Sequence, residues 1–117
     1  MDMLDRMKVT RAVVKEALRL RTPAIALPRT VKKDFPLTPG FIAKRGQLLM
    51  PSVWKITHDP VAYPDPDAFK PERWLFGDAE RQTKNWVVFG SDPHSCMGKV
   101  YAMAHLMTLI GKASIER

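Results

Sequence analysis

The sequence predicts a mixed fold, mainly α-helical with a small β region. Two observations carry this expectation. Residues 3–21 and 96–113 repeat apolar side chains at three- and four-residue steps, the spacing of helices. Between them, most of the chain's ten prolines crowd into residues 23–71, a composition of short strands and turns. With 117 residues there is room for one domain at most.

The first helix is expected over residues 3–21. Leu4, Met7, Val14, Ala17 and Leu18 fall on one side, Asp2 is a candidate N-cap, and Thr22-Pro23 ends the helix. Over residues 24–54 three β-leaning pieces follow, Ile25–Val31, Phe41–Ala43 and Leu48–Trp54. Turn signals at Thr38-Pro39-Gly40 and Arg45-Gly46 separate them into small hairpins. Residues 55–85 are turn-rich, with Asp67 able to cap one short helical turn and Ala79–Asn85 expected as a surface loop. Residues 86–113 begin with an apolar run, Trp86-Val87-Val88-Phe89, then a loop, then a helix from Cys96 or Met97. Met97, Val100, Tyr101, Ala104 and Met107 mark one side of that helix, and Leu106, Leu109 and Ile110 make the other side apolar too. A helix apolar nearly all round belongs inside a larger protein.

The formal net charge is +7, which reads either as a solvated basic surface or as a docking face for an acidic partner. Nucleic acid is disfavoured, because the basic residues are scattered and no basic stripe is interleaved with aromatics. No run of apolar residues is long enough to span a membrane, and Met1–Lys8 lacks the apolar stretch of a signal peptide. A single cysteine excludes an internal disulfide.

The strongest chemical signal is Phe89-Gly90-Ser91-Asp92-Pro93-His94-Ser95-Cys96-Met97-Gly98. It delivers a cysteine to the start of an apolar helix, where free amide N–H groups and the helix dipole favour a thiolate. Such a thiolate is a candidate axial ligand for haem iron. Gly98 would let a flat macrocycle lie close to the backbone. On its own, a lone cysteine reads more simply as a small buried residue filling space. Glu16 and Arg19 stand three apart and share a helix face, which alone suggests only an exposed ion pair. His58 and His105 have no metal-like spacing with Cys96 and read as structural.

Together these residues resemble the cytochrome P450 family. Phe89, His94, Cys96 and Gly98 match its cysteine loop, Glu16-Ala17-Leu18-Arg19 its Glu-x-x-Arg helix, and Pro71-Glu72-Arg73-Trp74 its Pro-Glu-Arg loop. Leu27-Pro28-Arg29 matches the strand whose arginine meets a haem propionate. The resemblance covers nearly the whole chain and implies the C-terminal portion of that fold. It implies Cys96 as the ligand to the iron of haem b, Arg29 and His94 as propionate donors, and Phe89 and Gly98 as further cofactor-binding residues. It also implies a buried Glu16–Arg19–Arg73 network that fixes the cysteine loop. Within the family, Thr10–Glu16, Thr83–Gly90, Pro93-His94 and Leu109–Ala113 are similar to fungal sterol C-22 desaturases. That likeness implies haem, dioxygen, a sterol substrate, an NADPH-dependent reductase and residence at the endoplasmic reticulum.

Asp92 stands where the family has a glycine, placing a carboxylate beside an anionic thiolate and an apolar ring, which is costly. No segment before Leu4 matches the family's oxygen-activating helix, and no membrane anchor is evident, so the chain reads as a fragment of a longer enzyme. The rival expectation is a non-catalytic piece that takes up no haem alone.

Overall fold

A computed structural model describes residues 6–116. The expected helix start at Asp2 and Leu4 lies outside the described residues. Helix α1 runs Lys8–Leu20, and its last turn closes with Arg21 N–H donating to Ala17 O at 2.9 Å before Thr22-Pro23 stops it. Its buried face differs from the apolar stripe read in the sequence. Ala12 and Val14 are buried, but so are Lys15, Glu16 and Arg19, whereas Ala17 is exposed and Leu18 half-buried. Charges turn inward here because each finds a partner there, which overrides hydrophobic period.

The β region is one long hairpin with two ladders. Strand β1 (Arg29–Thr30) pairs antiparallel with β4 (Leu48–Leu49), and an Ala26–Ser52 bridge extends this outer ladder. Nested inside it, β2 (Phe35–Thr38) pairs antiparallel with β3 (Phe41–Ala43), with an irregularity between Pro36 and Thr38. Between the ladders, Asp34 accepts from the Arg45 N–H at 2.7 Å and from the Lys44 ammonium at 2.9 Å. The structure adds one strand to those expected and corrects another. Phe35–Thr38 is a strand despite Pro36, because this two-stranded ribbon leaves edge positions where proline's missing donor is tolerated. The piece Leu48–Trp54 is not one strand: Ser52 Oγ accepts from Lys55 N–H at 3.1 Å and caps a short helix α2, Val53–Thr57.

No helical turn starts at Asp67; the chain bends instead with Ala68 N–H donating to Asp65 O. Helix α3 is a single turn, Glu72–Leu75, entered through Pro71. The stretch expected as a surface loop forms two 3₁₀ turns, Asp78–Glu80 and Thr83–Asn85. Its Ala79 is buried and joins Ala12, Tyr63 and Trp74 in the core, with Ala62, Leu75 and Trp86 packed around them. Fully burying side chains of this kind contributes about 1.5–3 kcal/mol each, so this small cluster is the main apolar anchor.

Helix α4 begins at Lys99, later than Cys96 or Met97, and runs to Ile115. It packs along α1. Gly111 makes the approach close: a Cβ there would sit 2.5 Å from Met7 Cε. Of α4, only Met107 and Gly111 are buried, while Val100, Tyr101, Leu109 and Ile115 stand exposed. The apolar character on both sides read from the sequence is therefore present, with Ala102, Met103, Ala104, Leu106 and Ile110 half-buried and the rest largely exposed.

Candidate functional site

Glu16 and Arg19 are both 0% exposed, and they form the floor of the site. Arg19 donates Nε to Glu16 Oε2 and Nη2 to Glu16 Oε1, both at 2.9 Å, a bidentate fork. Its remaining donors reach Thr57 O at 2.9 Å and Ala68 O at 3.3 Å. Three further donors converge on the same carboxylate: Arg73 Nε at 3.1 Å, the Lys70 backbone N–H at 3.0 Å and Trp74 Nε1 at 2.8 Å. Burial alone would raise the Glu16 carboxyl, but the donors from Arg19, Lys70 and Trp74 outweigh it and hold the group below the usual carboxylate range. The structure thus brings Glu16, Arg19 and Arg73 together and adds Trp74, read in the sequence only as part of the Pro-Glu-Arg loop, and Lys70 and Thr57, which the sequence did not single out. Trp74 carried a signal, since a buried indole N–H needs an acceptor. Lys70 and Thr57 act through backbone atoms, which no side-chain pattern reveals.

From this floor a row of aromatic rings leads to the cysteine loop. Tyr63 and Trp74 have centroids 6.1 Å apart, Trp74 and Trp86 5.9 Å, and Trp86 and Phe89 5.7 Å, the last two edge-on. Tyr63 is fully buried, its hydroxyl finds no partner among the described residues, and burial pushes its phenol up to about 12.

The loop itself is tied at its ends by one short bond, Cys96 N–H to Phe89 O at 2.7 Å. Gly90 turns the chain at φ +75°, and a Cβ there would meet His94 O at 2.6 Å, so only glycine fits. Backbone turns at Val87–Gly90 and Ser91–His94 complete the loop, and the Asp92 side chain lies outside the described residues. Cys96 is exposed, which overturns the reading of a buried space-filling thiol. It stands two residues before the N-cap of α4, Gly98, rather than in the helix's first turn. A Cβ at Gly98 would lie 3.7 Å from the Cys96 sulfur, an ordinary contact distance. Phe89 is half-buried under the loop, and His94 is exposed. Arg29 Nη1 donates to Pro28 O at 3.1 Å, and no hydrogen bond joins it to His94 or Cys96 among the described residues. Arg29 instead lines an open, largely apolar depression with Val31, Phe35, Leu49 and Pro51.

His58 is buried, with Nδ1 3.0 Å from Trp54 O and its ring stacked on Trp54, while His105 stacks on Tyr101. Among the described residues no group of His, Cys, Asp and Glu is clustered to hold a metal ion by itself. No helix of the described residues is long and apolar enough to cross a membrane.

The cytochrome P450 family model matches residues 1–113. The chain belongs to the cytochrome P450 family. A C-22 sterol desaturase of Aspergillus fumigatus is 57% identical over 116 residues, covering 99% of this chain and 22% of that protein. The C-22 sterol desaturase of Saccharomyces cerevisiae is 43% identical over 98% of this chain and 22% of its own length. A cytochrome P450 monooxygenase of Emericella variicolor is 45% identical over 99% of this chain. Among solved structures, a retinoic acid-bound cyanobacterial cytochrome P450, CYP120A1, superposes with a TM-score of 0.80 at 31% identity, over 92% of this chain and 26% of that one. The chain therefore spans about a fifth of the length of the P450 desaturases it matches.

The sites fit a haem-thiolate centre in the chemistry of their donors. One exposed sulfur sits just before an apolar helix, with Met97, Val100 and Tyr101 exposed nearby in sequence.

Proposed function

We propose that the chain is the cysteine-loop portion of a haem-thiolate sterol C-22 desaturase, with Cys96 as the thiolate ligand to the iron of haem b. The observation that carries this reading is the exposed Cys96 sulfur, held by the Cys96–Phe89 backbone bond at the head of an apolar helix. When bound, the haem would supply the dioxygen chemistry of the family. The overall reaction would remove two hydrogens from the sterol side chain to leave a double bond. Dioxygen would be reduced to two waters, the other two electrons coming from NADPH through a reductase. The sterol substrate, the reductase and an endoplasmic reticulum location come from the resemblance to fungal desaturases, and 57% identity to one of them supports the substrate class.

The residues of this chain have separable tasks in that reading. Glu16, Arg19 and Arg73 lock α1 to the Pro71–Trp74 turn. The aromatic row carries that rigidity to Phe89, and Gly90 sets the direction in which Cys96 leaves the loop. His94 and Arg29 would donate to the propionates. Arg29 offers a guanidinium and His94 a single imidazole donor, so His94 would bind the more weakly.

A second reading is favoured by the outward apolar face of α4: the segment takes up no haem until further chain covers that face. One titration separates the two. Haem is added to the purified chain, reduced and exposed to carbon monoxide, with Cys96→Ala alongside. A strongly red-shifted Soret band, lost in the variant, is expected. Its absence in the parent chain would leave the second reading.

A further inference from the structure

Lys15 is an unusual lysine. Its side chain is only 10% exposed, and its ammonium reaches Glu80 Oε2 at 2.6 Å. The same nitrogen lies 5.1 Å from the ring centroid of Trp74 and 5.0 Å from that of Trp86, so one cation faces two indoles. Arg11 completes the cluster by donating to the other Glu80 oxygen at 2.8 Å. Burial pulls the Lys15 ammonium below the usual lysine range, partly offset by its bond to Glu80 and its attraction to that carboxylate. A methionine of the same reach would fill this space without the desolvation cost, so the charge needs another explanation.

Trp86 supplies it. The indole stands at the entry to the cysteine loop, edge-on to Phe89, whose carbonyl receives the Cys96 N–H. Lys99, the first residue of α4, has its ammonium 5.9 Å from the same ring. One indole thus meets a cation from α1 and a cation from just beyond the loop. Its own Nε1 is buried and has no hydrogen-bond partner among the described residues, so no such bond orients the ring. Faces and edges must orient it instead, and of the two cations Lys15 is nearer and fixed by Glu80.

We propose that Lys15 is a positioning residue for the cysteine loop: set against both Trp74 and Trp86 and tied to Glu80, it seats Trp86 and through Phe89 sets where Cys96 stands. This is a second brace, distinct from the Glu16–Arg19–Arg73 network although it lies on the same helix. It rests on the reading of Cys96 as the iron ligand only for its functional meaning, and its geometry is testable without haem.

The test is amide hydrogen exchange by NMR on the chain, comparing Lys15→Met, Lys15→Arg and Glu80→Gln. In Lys15→Met the Cys96 and Gly90 amides should lose about tenfold in protection, while the Arg19 amide in α1 keeps its own. Lys15→Arg should recover most of the loss, because it keeps the cation. Unchanged protection at Cys96, or a loss in step with Arg19, overturns the proposal; the latter would mean that Lys15 supports the whole fold. Should Lys15→Met fail to fold, Glu80→Gln decides, since Glu80 is half-exposed: a selective loss at Cys96 supports the brace and no loss removes it. In a parallel haem titration, Lys15→Met should lower the fraction of the red-shifted carbon monoxide complex, and Lys15→Arg should restore it. If the parent chain binds no haem, the proposed function fails for this segment, and the brace stands or falls on exchange alone.

Discussion

Replacing Glu16 by glutamine tests whether the buried network works as a desolvated charge cluster. The substitution preserves shape and removes one negative charge. In the parent, Oε1 receives Arg19 Nη2, Lys70 N and Arg73 Nε, while Oε2 receives Arg19 Nε and Trp74 Nε1. Whichever way the glutamine amide turns, its NH₂ faces at least two donors that had an acceptor before. Arg19, fully buried, is left without a counter-charge. Breaking a buried pair from one side costs about 3–5 kcal/mol. A domain of this size has only about 5–15 kcal/mol in all, so the variant should lose a large share of its stability. The assay is urea unfolding followed by tryptophan fluorescence, since Trp74 touches the network itself. The midpoint should fall with the slope unchanged. Adding Arg19→Met to Glu16→Leu should recover part of the loss of Glu16→Leu alone, because no buried guanidinium then remains at that position. A Glu16→Gln cost under about 1 kcal/mol would refute the reasoning, because that is the worth of a solvated ion pair.

Acid should act on the same group. The folded Glu16 carboxyl sits below its ordinary 4.5, so its contribution is complete above that value and fades as pH falls through the folded one; unfolding midpoints measured from neutral pH downward should show this, and Glu16→Gln should flatten it. Tyr63 behaves oppositely: its phenol, raised from 10.0 to about 12, contributes below pH 10 and is lost as pH rises through 12, and Tyr63→Phe should abolish that alkaline loss in urea titrations. The same variant should be neutral or about 1 kcal/mol more stable at neutral pH, since it removes a buried hydroxyl with no partner. Gly90→Ala should destabilise by more than about 1–2 kcal/mol in urea unfolding, combining left-handed backbone strain with a clash on His94 O, and should lower amide-exchange protection at Cys96, whose N–H closes the loop on Phe89 O.

The helices at either end were legible because period and proline placement act locally, and Thr22-Pro23 stopped α1 where expected. What the sequence hid was non-local. Glu16 and Arg19 taken alone read as an exposed ion pair, and only the match of the Pro71–Trp74 turn implied their burial with Arg73; Lys15 drew no reading, because its partner Glu80 arrives from far along the chain. Leu48–Trp54 read as one β-leaning piece because Val and Trp suit both states, and the feature that starts a helix at Val53 is a single capping serine. Phe35–Thr38 is not among the β-leaning pieces read from the sequence, and its Pro36 is tolerated because the strand lies in a two-stranded ribbon. For the candidate site, the motif order located Cys96, Glu16, Arg19 and Arg73 in sequence. It could not reveal Lys15 or Trp86, because an indole–ammonium contact depends on ring orientation rather than spacing.

The edge-on aromatic row has an optical consequence. Trp74 touches the charge cluster and Trp86 the loop, with their rings 5.9 Å apart at 68°. Two chromophores so close and so fixed couple their electronic transitions, and the sign and strength of that coupling depend on the angle between them. Near-ultraviolet circular dichroism, which vanishes when side-chain packing becomes fluid, therefore carries a contribution from the geometry between cluster and loop, and a Trp86→Phe variant isolates it from the Trp54 and tyrosine signals. The molecule carries its own goniometer, with no label attached.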